Sequence, residues 1–149
     1  MTKGEKAEAL FKEGYNCSQS VACAFAEEIG LPIETVAKMM SGFGGGVGRL
    51  REICGAVSGM TFVTSTLCGY SDPTATDEKT DVYTMIQTLA GSFKEKTGSI
   101  ICRELLALPE TDAPISAVAS ARTPAYYQKR PCAMLCHIAA DLAAERIKK

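Results

Sequence analysis

Cysteine is the residue whose number and placement could support chemistry in this sequence of 149 residues. One of the seven cysteines begins the hexapeptide Cys54-Gly55-Ala56-Val57-Ser58-Gly59. These small neighbours leave the backbone close to the sulfur and little bulk around it, as a bound cofactor or a reacting thiol requires. No two cysteines form a Cys-x-x-Cys pair, so the fold must assemble any site from distant segments. The other six are Cys17, Cys23, Cys68, Cys102, Cys132 and Cys136.

Composition restricts the class of protein. A hydrophobic content of 46% with 22% charged residues is typical of a globular chain, and the length suits a single domain over residues 1–149. A net charge of −1 predicts no attraction to nucleic acid. No run of apolar residues is long enough for membrane insertion. The polar start of the sequence does not resemble a signal peptide, and the cysteine number is odd, which together predict a reducing, cytoplasmic location.

Apolar residues recur with helical spacing along almost the whole chain. The pattern predicts an all-α, compact multi-helical domain of about six or seven helices. Asn16 and Gln19 form a capping-box pattern at the start of the second helix, which Gly30 ends. The remaining predicted helices have approximate bounds of 7–13, 32–40, 51–67, 76–96, 100–106 and 131–147. Three prolines in residues 108–125 predict an extended crossing loop.

Five glycines within residues 42–48 precede Cys54. Such a loop can cradle a phosphate, but no Gly-Lys-Ser/Thr follows it and no strand precedes it. A tight turn between packed helices is the simpler interpretation. A third interpretation is that the loop lies against Cys54 and its backbone contacts a cofactor, with Gly44, Gly45, Gly46 and Gly55 as the candidate contacts.

Gly55 and Gly59 are four residues apart and make one helix face nearly flat. We expect the helices that carry Cys17, Cys54 and Cys132 to meet there, because small residues permit close approach.

The other cysteines divide by their surroundings. Cys17 and Cys132 fall at predicted helix starts, where the helix dipole favours thiolate. Cys23 and Cys68 lie among apolar residues and are predicted to be small core residues. Cys136 and His137 could form a metal clip with Cys132, although structural zinc sites usually supply ligands in closely spaced pairs. This clip is retained as an alternative site.

Four of the cysteines lie in segments that resemble the C_GCAxxG_C_C family of small proteins to which a redox role is assigned. The similarity extends over nearly the whole chain. Cys132 is matched through its offset from the alanine pair that follows, and Cys136 is the alternative fourth cysteine. The matching segments are Asn16-Cys17-Ser18-Gln19-Ser20, Gly44-Gly45-Gly46-Val47-Gly48-Arg49, Cys54-Gly55-Ala56-Val57-Ser58-Gly59, Ile101-Cys102-Arg103-Glu104-Leu105-Leu106, and Cys132.

The family in turn resembles the cluster-binding part of the split-Soret cytochromes. This implies that Cys17, Cys54, Cys102 and Cys132 converge and bind an iron–sulfur cluster, most simply [2Fe–2S], for electron transfer or redox sensing. The chain has no Cys-x-x-Cys-His motif, so haem attachment is not implied. One alternative is a metal-free thiol–disulfide protein with the same four residues as catalytic cysteines. Another is a zinc-binding helical scaffold. The redox partner and any substrate are not identified by the sequence, and a homodimer is compatible with it.

Overall fold

A computed structural model describes residues 1–109 and 115–149. Within these ranges the chain forms α-helices and one short 3-10 turn, Ser41–Phe43, without a β-strand. The all-α prediction is confirmed. The described residues contain nine α-helices, six of them with seven or more residues, which is more than the six or seven predicted. The helices are α1 Lys3–Lys12, α2 Cys17–Cys23, α3 Ala26–Ile29, α4 Ile33–Met40, α5 Gly55–Cys68, α6 Thr76–Thr97, α7 Cys102–Leu105, α8 Pro124–Lys129 and α9 Cys132–Ile147.

Local capping explains where the helices begin and end. The predicted capping box starts α2: the side-chain oxygen of Asn16 accepts the Gln19 N–H at 2.9 Å, and the Gln19 side chain accepts the Asn16 N–H at 3.0 Å. Gly30 and Gly98 end α3 and α6 in the left-handed conformation, as their positions predict. The helix predicted between Asn16 and Gly30 is divided into α2 and α3, because the backbone at Phe25 leaves helical geometry.

Two predicted boundaries were wrong. The helix expected from Arg51 begins only at Gly55, because the preceding residues pair with another segment. The extended loop predicted for residues 108–125 partly lies outside the described residues, at 110–114. Its end overlaps α8, which starts with Pro124 and is capped by Thr123, whose side-chain oxygen accepts the Tyr126 N–H at 3.2 Å. A threonine followed by a proline favours the start of a helix. The prediction of a loop rested on the number of prolines and did not consider this signal.

The helices that carry the cysteines pack against one another. Helix α2 contacts α5, and both contact α9, while α1 packs against α9 and α2. The prediction that the helices bearing Cys17, Cys54 and Cys132 meet is therefore confirmed. Fully buried Phe11, Phe25 and Met60 lie in the core. None of the helices in the described part of the chain has the combined length and apolarity of a membrane span.

The flat face predicted for α5 is used for close contact with α2. A Cβ atom on Gly59 would lie 2.8 Å from the Ser18 carbonyl oxygen and 2.9 Å from the Val21 Cβ. We expect Gly59→Ala to lower the free energy of unfolding by about 1–3 kcal/mol, as overpacking does. Gly91→Ala is the matched control, because Gly91 lies in α6 with no atom within 4 Å of the added Cβ.

In Gly91→Ala the free energy of unfolding should instead rise by about 0.5–1 kcal/mol, because alanine has the higher helix propensity. Urea unfolding of both variants measures the difference. A Gly59→Ala variant as stable as Gly91→Ala would show that α2 and α5 are not closely packed.

Candidate cysteine site

The four predicted cysteines line one small cavity of about 60 Å³. Cys17, Cys102 and Cys132 are the first residues of α2, α7 and α9, and Cys54 immediately precedes α5. Cys54, Cys102 and Cys132 are buried, and Cys17 is half-buried. The fold thus brings the N-terminal ends of four helices, which are distant in sequence, around a single cavity. The cavity is named here the thiol cavity.

A single backbone bridge aligns Cys54 with Cys102. Ile53 and Ile101 form an isolated antiparallel bridge. On its two sides the Cys54 N–H donates to the Ile100 carbonyl at 2.8 Å, and the Cys102 N–H donates to the Glu52 carbonyl at 2.6 Å. A one-residue bridge has no periodicity, so no sequence pattern predicts it. It fixes the backbone of two cavity cysteines relative to each other.

The thiols of Cys17, Cys132 and Cys136 interact with one another. The other two thiols are the two largest influences on the pKa of Cys17, and they act in opposite directions. Cys136 also donates to the Cys17 carbonyl oxygen, with the sulfur 3.7 Å away. Cys132 lines the thiol cavity, whereas Cys136 is fully buried and is not among the lining residues. This placement favours Cys132 as the fourth site cysteine, and its chemical role stays a prediction.

Burial changes the acid–base behaviour expected for these thiols. A hydrogen bond with Cys132 lowers the pKa of Cys17, but its hydrogen bond with Cys136, its burial and nearby thiol charges raise that pKa well above its ordinary value. The hydrogen bond with Cys17, followed by burial, raises the pKa of Cys132. Burial raises the pKa of Cys54 to about 12. The expectation that helix dipoles would favour thiolate at Cys17 and Cys132 was wrong, because desolvation and thiol–thiol contact outweigh the dipole.

These raised pKa values predict a loss of stability at alkaline pH. The Cys54 thiol has an ordinary pKa of 9.0 and a folded-state pKa of about 12, so the unfolded chain loses this proton first. Stability from the protonated thiol is therefore complete below about pH 9 and is lost as the pH rises towards 12. Urea unfolding of reduced, metal-free protein across this range should show the fall. Cys54→Ala should show a smaller fall, and an unchanged pH profile in that variant would contradict the assignment to Cys54.

The metal clip retained as an alternative does not form. The His137 Nε2 atom lies 3.2 Å from the Asp141 Oδ2, and the Nδ1 atom lies 3.6 Å from the Glu8 Oε2, so the imidazole faces two carboxylates. Cys132 instead faces the thiol cavity. Within residues 1–109 and 115–149, no group of three or more His, Cys, Asp or Glu side chains is arranged to hold a metal ion. The zinc-scaffold alternative therefore has no ligand group to support it in these residues.

The predicted glycines have two different placements. Gly45, Gly46 and Gly55 line the thiol cavity, as expected for a loop that lies against the site. Gly44 does not line it. A Cβ on Gly44 would lie 2.5 Å from the Asn16 Cγ, so this glycine makes room for the residue that caps α2. Their contact with a cofactor stays a prediction.

The glycine loop forms a left-handed turn that satisfies much of its own backbone. Residues 45–49 all have positive φ angles, including the non-glycine residues Val47 and Arg49. The N–H groups of residues 47–52 each donate to a carbonyl within residues 42–47. These N–H groups are therefore not free to cradle a phosphate, and the phosphate-loop interpretation is not supported by them.

Three arginines that the sequence analysis did not select also line the thiol cavity: Arg51, Arg122 and Arg130. The Arg51 guanidinium donates to the Cys102 sulfur at 3.7 Å. The sequence predicts a helix start at Arg51, and its position directly after the glycine loop is the one local signal for a role at the site. Arg122 and Arg130 lie in or beside the predicted crossing loop, and no local pattern distinguishes them from solvent-exposed residues.

Cys23 and Cys68 lie away from the thiol cavity. Cys23 is buried in the core with its sulfur 3.7 Å from the Ile33 carbonyl oxygen, and Cys68 is the half-buried last residue of α5. We expect Cys→Ala at either position to lower the free energy of unfolding by about 1 kcal/mol, as small truncations do. Metal content and the reactivity of the other thiols should not change. Loss of bound metal in either variant, measured by elemental analysis, would place that cysteine in the site.

The chain belongs to the C_GCAxxG_C_C family. The family's sequence profile, described as "Putative redox-active protein (C_GCAxxG_C_C)", matches residues 15–146, which include all five cysteines in and beside the thiol cavity. Comparison with curated proteins and with solved structures gave no match. The chain is thus a cysteine-rich, all-α member of a family that is described as redox-active.

Proposed function

We propose that this protein is an iron–sulfur protein in which Cys17, Cys54, Cys102 and Cys132 bind a [2Fe–2S] cluster for electron transfer or redox sensing. The observation that carries the proposal is the placement of these four cysteines, from four separate segments, around one cavity. Four cysteine thiolates are the donor set of such a cluster. A cluster divides its protein ligands between two irons, so the sulfurs need not converge on one point as they must for a single zinc ion.

The charges around the cavity support this proposal. Buried thiols with raised pKa values are protonated at neutral pH, and a bound metal would displace those protons. When bound, the cluster would supply reversible one-electron chemistry. Arg51, Arg122 and Arg130 would offset part of the negative charge of four thiolates, and Arg51 already donates to a cavity sulfur. The surrounding glycines leave space beside the cysteines.

A metal-free thiol–disulfide function is the second candidate. The contact between the Cys17 and Cys132 thiols favours it, because this pair could be oxidised to a disulfide. The same contact raises the pKa of Cys132, and burial raises the pKa values of both thiols, which lowers the thiolate fraction needed for nucleophilic attack. The placement of four cysteines, and not of one pair, around the thiol cavity favours the cluster.

Purification without oxygen separates the candidates. We expect visible absorption from sulfur-to-iron charge transfer, with about two iron and two sulfide per chain. Elemental analysis should find no stoichiometric zinc. Colourless protein that takes up no iron on reconstitution, with a Cys17–Cys132 disulfide found by peptide mapping, would overturn the cluster and support the second candidate. The redox partner and the cytoplasmic location stay predictions.

A further inference from the structure

A larger cleft of about 550 Å³ adjoins the thiol cavity and is rich in arginine. We name it the arginine cleft, defined by Arg49, Arg51, Arg122 and Arg130. Three of these arginines, all except Arg49, line both the cleft and the thiol cavity. No Asp or Glu side chain is among the described residues that line either space. Four like charges therefore face a concave space without an opposing carboxylate from the described chain.

This concentration of positive charge is local. The whole chain has a net charge of −1, with 17 acidic residues, so carboxylates are not scarce. Within the described ranges the Lys and Arg ion pairs lie elsewhere, for example between Lys3 and Glu28, and none of the four cleft arginines takes part in one. Burial, followed by the charges of Arg51 and Arg130, lowers the pKa of Arg49. An anion in the cleft would relieve this repulsion.

The cleft arginines are held in place by neutral groups. Arg122 donates to the carbonyl oxygens of Phe11 at 2.8 Å and Tyr15 at 2.9 Å, and its guanidinium carbon lies 4.2 Å from the centre of the Phe11 ring. Arg130 stacks over the Tyr126 ring at 5.1 Å. Because carbonyls and aromatic rings hold these arginines, their charge has no carboxylate partner among the described lining residues, and a ligand would need to remove less conformational entropy.

Backbone conformation holds the other two arginines. Arg49 and Arg51 both have a φ of 65°, in the left-handed region that is unfavourable for a residue with a side chain. Hydrogen bonds from their N–H groups to Gly44 and Gly45 stabilise this turn. Residues kept in such conformations tend to occur at functional sites. The turn directs two charges into the cleft from one short segment.

We propose that the arginine cleft binds a small molecule that carries two or more phosphate groups. The planar guanidinium group pairs with phosphate oxygens in a bidentate manner, and four of them match a multiply charged ligand better than a single carboxylate. The volume is within the range of small-molecule pockets. Arg51 would connect this ligand to the thiol cavity, because it lines both spaces and donates to the Cys102 sulfur. Binding of the phosphate ligand does not depend on the proposed function. Only a functional link between that ligand and the cluster would depend on it.

Calorimetric titration of the protein as isolated with inorganic pyrophosphate tests this proposal. We expect saturable binding that weakens with added salt, and a loss of affinity of about tenfold or more in Arg49→Gln and Arg130→Gln. Both are chosen because neither holds the end of α1, as Arg122 does. Arg146→Gln is the matched control, since Arg146 is also half-buried but lies near the end of α9, away from the cleft. The Arg146→Gln variant should bind pyrophosphate with the affinity of the unmodified protein.

Three results would overturn the proposal. The first is no binding of pyrophosphate at millimolar concentration in low salt. The second is equal affinity for citrate, which would show that the cleft selects charge and not phosphate. The third is binding of polyglutamate without binding of pyrophosphate, which would identify a surface for an acidic protein. Circular dichroism verifies that the variants are folded. Iron content and iron uptake on reconstitution, measured on the same samples, report separately on the cluster. Protein that binds pyrophosphate but takes up no iron would support this proposal and contradict only the proposed function.

Discussion

Replacing Cys54 by alanine should remove almost all iron, sulfide and visible absorption from protein purified without oxygen. Cys54 lines the thiol cavity and is only 3% exposed, so neither water nor a surface residue can easily supply a replacement ligand. Its backbone is fixed by the hydrogen bond to Ile100, and a neighbouring segment cannot shift to fill the position. Loss of one of four ligands should reduce iron retention by about tenfold or more, as loss of metal-site support commonly does.

Cys23→Ala is the matched control, because Cys23 is equally buried at 1% exposure but lies outside the cavity. It should retain the iron of the unmodified protein at a modest cost in stability. Circular dichroism should show that both variants keep their helical content, so that iron loss in Cys54→Ala cannot be attributed to unfolding. Equal iron content in the two variants would exclude Cys54 as a cluster ligand.

The helices could be predicted from the sequence because their signals are local. The capping box of Asn16 and Gln19 and the left-handed Gly98 depend on residues within one or two turns. The same local signals could not predict the bridge between Ile53 and Ile101, which depends on two segments 48 residues apart meeting after the helices pack. That bridge is also why α5 starts later than its apolar pattern predicts.

Only part of the candidate site could be predicted, because its residues also come from segments that are distant in sequence. The four cavity cysteines were selected through family resemblance and not through spacing, since no two of them form a local motif. The thiolate expectation for Cys17 and Cys132 considered only their own helices, whereas their pKa values are determined by burial and by each other. Arg122 is a further example: it is held by carbonyls more than a hundred residues away, at Phe11 and Tyr15, and nothing near it in the sequence indicates this.

Replacing Gly46 by valine should displace the backbone that supports the cysteine site. Gly46 has a φ of 76°, and an added Cβ would lie 2.6 Å from the Glu52 nitrogen and 2.8 Å from the Arg51 Cα. Both contacts are with backbone, which a rotamer change cannot relieve. Left-handed strain and overpacking together should lower the free energy of unfolding by about 3 kcal/mol. Because the Glu52 carbonyl accepts the Cys102 N–H, displacement of Glu52 should separate Cys102 from Cys54 and reduce iron retention severalfold.

Two controls separate the causes of this effect. Gly48→Val introduces a side chain at a φ of 57° in open space, so it tests left-handed strain without the backbone contact. Glu145→Val changes the exposed surface of α9, far from the loop. We expect iron retention to decrease in the order Glu145→Val, Gly48→Val, Gly46→Val, with stability following the same order. Elemental analysis and urea unfolding of the three variants measure both quantities. If Gly46→Val retained as much iron as Glu145→Val, the glycine loop would be a connector between α4 and α5 and not a support for the cysteines.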